Sequence, residues 1–245
     1  MKNNKSIKEF IKESREMQTK LLEELASGLA HEIKNPLSTL NLNLEVLYED
    51  WKNSESQREK KALKRIKIMS DEIQRLERIV NEFLNFARDI EIKIELTDIK
   101  KLINSMLNFV EPELKSEKIT VWTEFAQNLP LVPADSQKLK QVLLNLIINS
   151  RHAINEKGNG EIFIKVNFDD IWLYIEIIDT GKGISTENHP RIFDVYFSTK
   201  KKGTGLGLAA AKRIIENHDG ILELVMSEID TGTNFRIKLP LYKSH

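Results

Sequence analysis

Cysteine is absent from the 245-residue chain. Its absence excludes disulfide frameworks, thiolate zinc sites and thiol nucleophiles, and it suits a reducing compartment. Glycine and proline are sparse, at 10 and 6 residues, so collagen-like and low-complexity disordered classes are excluded. There is no charge excess either. The 37 basic and 37 acidic residues cancel, with 17 of each sign in residues 1–92 and 20 of each beyond. Neither part has the basic surplus that binds a phosphate backbone, so no nucleic-acid partner is expected. No run approaches the roughly 18 uninterrupted apolar residues of a membrane helix, and the opening MKNNKSIKEFIKES lacks the apolar stretch of a secretory signal. The expectation is a cytoplasmic chain with no direct membrane segment.

What is present changes texture near residue 92. Leu22, Leu25, Leu29, Ile33, Leu37, Leu40, Leu44 and Leu47 recur at steps of three and four, the mark of a long amphipathic helix. Pro36 should bend that helix without ending it, because the stripe continues beyond. After a polar connection at 52–57 comes a second stripe of Leu63, Ile66, Met69, Ile73, Leu76, Val80, Phe83 and Ala87. Two helices cannot enclose a core, so the hairpin predicts a four-helix bundle made by two identical chains; packing onto its own C-terminal part is the alternative. Beyond residue 92, short alternating runs predict strands at 92–96, 119–122, 162–166, 172–177, 221–225 and 235–239. Helical patterns lie between them at 98–114, 135–155 and 205–218, with Asp98 and Asp135 at N-cap positions. The fold class expected is α+β: a dimeric helical-hairpin four-helix bundle followed by an α/β sandwich.

Several residues carry chemistry. His31 sits about 200° around the helix from Ile33 and so points away from the stripe. An exposed imidazole, with an ordinary pKa of about 6.5, is largely neutral near pH 7 and nucleophilic. Glu32 is placed to take the proton from its other ring nitrogen, and Asn35 lies one turn on. Farther along, Asp179, Thr180, Gly181, Lys182, Gly183 and Ile184 follow an apolar strand. The glycines permit close backbone approach, and Asp179 can accept from an exocyclic amine. Gly203, Thr204, Gly205, Leu206, Gly207 and Leu208 open a helix, where N–H groups and the dipole favour phosphate. No Gly-Lys-Ser/Thr follows, so this is not a Walker A loop. Asn145 and Asn149 share a face of an otherwise apolar helix that ought to be buried; their carbonyl oxygens suit Mg²⁺, and core hydrogen bonding is the alternative. His189, His218 and His245 read as solvated residues, and no zinc site is expected.

Together these residues resemble the sensor histidine kinases of two-component signalling, whose ATP-binding (Bergerat or GHKL) fold is shared with Hsp90, gyrase and MutL. The resemblance spans residues 20–241. Residues 31–37 (HEIKNPL) match the family's H box, 145–149 its N box, 179–184 its G1 box, 192–200 its F box, 203–208 its G2 box and 232–235 its last glycine-threonine motif. It implies that His31 is the phosphoacceptor, Glu32 its base, and Asn35 the residue that positions water when the regulator is dephosphorylated. It implies Mg²⁺ on Asn149 with Asn145, adenine on Asp179 with Thr233 through water, and base and ribose against Gly181, Gly183 and Ile184. Triphosphate would lie along Lys200 and the 203–208 backbone, under a mobile lid at 188–204 that includes Tyr196. Where many members carry a basic or amide side chain near the phosphates this chain has His152, with Arg151 before it, and the sequence leaves open which of the two faces nucleotide.

The domains implied are a signal-input coiled-coil helix at 1–20 from a sensor domain absent here, a dimerisation and phosphotransfer domain at 21–92, and a catalytic ATP-binding domain at 93–245. A hinge is expected at 88–92. The partners implied are a second copy of the chain and the receiver domain of a response regulator. Two rivals remain: a non-enzymatic dimeric scaffold, and an ATP-driven clamp of the Hsp90 or MutL kind.

Overall fold

The computed structural model describes residues 30, 32–53, 56–87, 91–200 and 203–242. The chain divides into two compact units, Met1–Asp89 and Ile90–His245. The phosphoacceptor candidate His31, the input segment 1–20 and hinge residues 88–90 lie outside the described residues.

The described part of the first unit is a helical hairpin. Helix α1 (32–51) runs through Pro36 without ending, and α2 spans Gln57–Ala87. Leu37 and Leu44 bury against Ile66 and Ile73, one heptad apart on each helix. Beside them the Ser70 hydroxyl donates to Asn41 Oδ1 at 3.2 Å. Among the described stripe residues, Leu63, Val80 and Phe83 are half-buried, whereas Ile33, Leu40 and Leu47 on α1 and Met69 and Leu76 on α2 are exposed. At about 100° per residue, Leu37 and Leu44 fall 20–40° to one side of Ile33, and Leu40 and Leu47 fall 20–40° to the other. The hairpin therefore fills one flank of its apolar stripe and leaves the second flank open.

The second unit is a layer of helices on a sheet. Its elements are β1 (Glu95–Thr97), α3 (Ile99–Ser116), β2 (Ile119–Phe125), β3 (Val132–Ala134), α4 (Ser136–Asn155), β4 (Gly160–Phe168), β5 (Trp172–Asp179), a 3₁₀ turn (Thr186–Arg191), α5 (Gly207–Asn217), β6 (Ile221–Glu228) and β7 (Gly232–Pro240). Five strands pair in the order β2-β4-β5-β7-β6; β2 and β4 are parallel and the other pairs antiparallel. Alternation sets the faces. Leu173, Ile175 and Ile177 of β5 and Phe235, Ile237 and Leu239 of β7 point inward, onto Ile103 and Met106 of α3, Leu143 and Ile147 of α4, and Ile214 and Ile215 of α5. Across the other face, Glu124, Lys165, Glu176, Arg236 and Glu223 follow one another in strand order with alternating sign. Neighbours in that row bond, Arg236 Nε to Glu176 Oε1 at 2.7 Å and Lys165 to Glu124 at 3.2 Å, which keeps this face polar.

Both expected caps are formed. Asp98 Oδ1 accepts from Lys101 N, and Asp135 Oδ1 accepts from Gln137 N and Lys138 N, each at 3.0 Å. Three expectations change. The strand expected at 92–96 is Glu95–Thr97 instead, held by β3, which the sequence did not reveal because it is only three residues long and contains Pro133. Helix α5 begins at Gly207 and not at 205, since Gly205 has φ +71°, outside helical space. His218, expected to be solvated, is 3% exposed: its Nε2 accepts from Asp135 N at 3.0 Å and its Nδ1 donates to Ile214 O at 2.7 Å. His189 is half-buried with Nε2 3.0 Å from Ile184 O, and His245 lies outside the described residues.

Candidate active site

The second unit carries a site with two ends. At the first, the inward alternation of β5 delivers its last residue, Asp179, into the core, where it is 3% exposed. Its Oδ2 accepts from the Ser150 hydroxyl at 3.0 Å and its Oδ1 from Gly181 N at 2.9 Å, which leaves acceptor capacity on both oxygens. Burial is the largest influence and pushes the carboxyl pKa up, although the Gly181, Ser150 and Thr233 hydrogen bonds and the Lys200 charge pull against it. A buried acceptor of this kind gains much from one more donor. Thr233 stands opposite Asp179 in the β5–β7 ladder, its hydroxyl 2.9 Å from Ser227 Oγ. Ser227 Oγ also accepts from Ile184 N at 2.8 Å and donates to Gly232 O at 3.1 Å.

The glycines at this end serve the chain's own packing. A Cβ on Gly181 would lie 2.6 Å from Ala153 Cβ and 2.9 Å from Asp179 Oδ1, and one on Gly183, at φ +70°, would lie 1.9 Å from Glu228 O. At these two positions the direction a Cβ would take is filled by α4 and by the end of β6.

The second end is built from α4, the 192–206 segment and α5. Asn145 and Asn149 are half-buried rather than buried, because the α4 face they occupy turns toward this loop. Asn145 Nδ2 donates to Gly207 O at 3.2 Å, so its carbonyl oxygen keeps its acceptor capacity. Asn149 Oδ1 accepts from Lys200 Nζ at 2.7 Å. Burial first, and then the positive charge of Lys182, bring the Lys200 pKa down to about 8, against the opposing charges of Glu156 and Asp179. Arg151 turns to α3, pairing with Glu113 at 2.6 Å and Glu117 at 3.5 Å. His152 is exposed; desolvation first, and then the Lys200 and Arg151 charges, lower its pKa against the opposing charges of Glu117 and Glu156.

The glycine loop is shaped by close contacts. A Cβ on Gly205 would meet the Tyr196 carbonyl carbon at 2.4 Å, and Tyr196 N donates to Gly205 O at 3.2 Å. Tyr196 takes φ +66° and is 60% exposed. Gly203 N closes a turn onto Lys200 O at 3.2 Å, and Leu206 N reaches Thr204 Oγ1 at 3.4 Å. Where α3 and α4 begin with aspartate caps, α5 begins after Leu206, and among the described residues no side chain caps it. Its first-turn N–H groups, in Gly207, Leu208 and Ala209, are thus placed to meet an anion. A Cβ on Gly207 would find nothing nearer than Asn145 Cγ at 4.0 Å.

This donor set fits a hard cation. Two amide oxygens stand one helical turn apart, and one of them already holds an ammonium. Both are neutral, so the balancing charge has to arrive with phosphate oxygens, which is how Mg²⁺ is commonly held. In the helical unit, Glu32 and Asn35 are exposed on α1, three residues apart and able to serve one face. Sequence reasoning missed Ser150, Ser227 and Lys182. Ser150 has a signal, as a small polar residue following Asn149 in an apolar helix. Ser227 has none, because its role depends on strand register.

Residues 134–243 match the histidine kinase-, DNA gyrase B- and HSP90-like ATPase family, and residues 21–91 match the His Kinase A (phospho-acceptor) domain. Sensor histidine kinase ZraS of Escherichia coli (strain K12) is 34% identical over 217 residues, which is 89% of this chain and 45% of ZraS. Sporulation kinase A of Bacillus subtilis (strain 168) is 32% identical over 218 residues, 89% of this chain and 34% of that protein. The chain thus spans about half the length, or less, of these curated relatives. Among solved structures, histidine kinase ThkA in complex with response regulator protein TrrA aligns with TM-score 0.66 and 26% identity, covering 93% of this chain and 64% of that one. Full-length ShkA in complex with AMPPNP aligns with TM-score 0.71 over 90% of this chain and 46% of that one; at 22% identity it shows the fold alone. A phospho-acceptor domain followed by this ATPase domain is the arrangement of the sensor histidine kinases, and the chain belongs to that family.

Proposed function

We propose that the chain is an ATP-dependent protein histidine kinase that phosphorylates His31 and passes the phosphoryl group to an aspartate of a response regulator. The observation that carries this reading is the pairing of a cation, Lys200, on Asn149 with an uncapped helix N-terminus at Gly207: one end of the site is prepared for an anion together with its counter-cation. At the other end, Asp179 accepts from the adenine amino group, with Thr233 oriented by Ser227. Mg²⁺, held by Asn149 and Asn145, would neutralise phosphate charge. Phosphoryl transfer asks for little beyond alignment and charge neutralisation. A ring nitrogen of His31 bonds to the γ-phosphorus, the bond to the β–γ bridging oxygen breaks, ADP leaves, and the proton on the other ring nitrogen is accepted by Glu32. Asn35 would orient water for the reverse task, dephosphorylation of the regulator.

The functional unit we propose is a homodimer. Its support is the open flank of the hairpin, where Ile33, Leu40 and Leu47 on α1 and Met69 and Leu76 on α2 repeat at heptad spacing. Each such side chain is worth roughly 1.5–3 kcal/mol when fully buried. Residues 21–92 then form the dimerisation and phosphotransfer domain, 93–245 the ATP domain, and 1–20 the segment that receives the sensor's signal. The ThkA–TrrA complex supports a response-regulator partner. No helix among the described residues is long and apolar enough to cross a membrane, and we place these domains in the cytoplasm.

Incubation of the chain with magnesium and γ-labelled ATP tests the reading. It predicts an acid-labile, base-stable protein label that His31→Ala abolishes. Release of free phosphate with no protein label would instead favour a clamp-type ATPase, and nucleotide binding without turnover a scaffold.

A further inference from the structure

Helices α4 and α5 pack against each other and run antiparallel, with one polar bond at each end of their contact. At one end Asn145 Nδ2 donates to Gly207 O at 3.2 Å; at the other, Asp135 N donates to His218 Nε2 at 3.0 Å. Ten residues separate Asp135 from Asn145 and eleven separate Gly207 from His218, or about 15 and 16.5 Å at 1.5 Å per residue. The two bonds therefore specify one axial register, and a slip of a single residue would break both.

The ring's reach across to α4 is not needed to end α5. Backbone bonds do that: His218 N and Gly220 N both donate to Ile215 O, at 3.0 and 2.9 Å, and Asp219 takes φ +57°. His218 is nonetheless buried, and its two ring bonds fix a single neutral tautomer, with Nδ1 donating to Ile214 O and Nε2 accepting. Its partner is also anchored. Asp135 caps α4 through Oδ1 and accepts Lys93 N on Oδ2 at 3.0 Å, so the ring ties α5 to a point that is itself fixed from three directions.

We propose that His218, acting through the Asp135 backbone, is a positioning residue for nucleotide phosphates. It holds α5 at the height on α4 where the uncapped N-terminus at Gly207 faces Asn145 and Asn149. The inference rests on the nucleotide reading above and extends it to a residue some 16 Å along the helix from the phosphates.

Two substitutions of the full-length chain test it. His218→Asn keeps an N–H for Ile214 O and is too short to reach Asp135; His218→Gln extends far enough to place a carbonyl oxygen where Nε2 stood. Affinities for Mg·AMPPNP and for adenosine are read by competition against a fluorescent ATP analogue, with circular dichroism to establish folding. The expected result is AMPPNP binding about tenfold weaker in His218→Asn, adenosine binding within about twofold of wild type, and His218→Gln within about threefold for both ligands. Unchanged AMPPNP affinity in a folded His218→Asn overturns the proposal, as does an equal loss for both ligands, which would mark a merely structural role. If His218→Asn does not fold, His218→Gln decides: wild-type affinities support the proposal, while weakened AMPPNP binding or failure to fold overturns it. A wild-type chain that does not bind AMPPNP contradicts the nucleotide reading itself; a wild type that binds, beside unaffected variants, contradicts only the positioning role.

Discussion

Gly207→Ala separates function from stability at the point where the account places phosphate. The new methyl would have no heavy atom nearer than Asn145 Cγ at 4.0 Å, and residue 207 is the first of α5. Alanine is the better helix former by about 0.5–1 kcal/mol, less at a helix end. The expected stability change is thus between zero and about +1 kcal/mol, at most about 4 °C in melting temperature for a unit of this size. The same methyl enters the space above the uncapped first-turn N–H groups, where a phosphate oxygen would have to come within about 2.9 Å. AMPPNP affinity should fall at least about tenfold, or ~1.4 kcal/mol. Gly183→Ala is the contrast: its Cβ would lie 1.9 Å from Glu228 O at φ +70°, so a fold cost of several kcal/mol is expected. Thermal denaturation and calorimetric titration with Mg·AMPPNP read both quantities. Wild-type affinity in Gly207→Ala would refute the placement of phosphate, and a melting temperature as low as that of Gly183→Ala would refute the open space.

Three further outcomes follow from the geometry. Asp179→Asn should abolish most nucleotide affinity, at least about tenfold, while keeping or raising stability. Burial holds the Asp179 pKa above its ordinary 3.8, so the ionised carboxylate destabilises the fold at neutral pH; the gain from Asn seen in melting curves should vanish once pH falls below 3.8. Ser227→Ala leaves Ile184 N without its acceptor and Thr233 Oγ1 without its neighbour; urea denaturation should show a loss of about 1–3 kcal/mol, and competition titrations a weaker preference for ATP over GTP. Asp135→Ala should cost about 1–2 kcal/mol at pH 7. Burial opposes ionisation there, but the N–H groups of Lys138, Lys93 and Gln137 outweigh it and lower the pKa. That stability is present above 3.8 and lost as pH falls through the lower folded value, so wild type and variant should converge in strongly acidic urea titrations.

The fold was most legible where residue type alone fixes local geometry. Asp98 and Asp135 cap α3 and α4 through their own side chains, and the alternation in β5 and β7 predicts which side chains turn inward. β3 escaped because Val132, Pro133 and Ala134 form a strand only through pairing with β1, a long-range contact that no local pattern carries. His218 escaped for a similar reason, since its acceptor role needs α4 beside α5. At the candidate site, a helix face bearing Asn145 and Asn149 could be read from spacing, but not that Lys200 would serve Asn149. Glycine-rich segments could be read as loops, but that Gly183 makes room for Glu228 and Gly232 for Asp179 depends on the folded chain. The hairpin's stripe was visible as a whole, whereas its division into a covered and an open flank depends on how α1 meets α2.

The most direct measurement is the location of the transferred phosphoryl group. After the full chain is incubated with Mg·ATP, digestion and peptide mass spectrometry at alkaline pH, which preserves phosphoramidates, should place the modification on His31 alone, and Asn149→Ala should eliminate it. A phosphoryl group on any other residue, or an unmodified His31 peptide from a chain that binds ATP, would contradict the account.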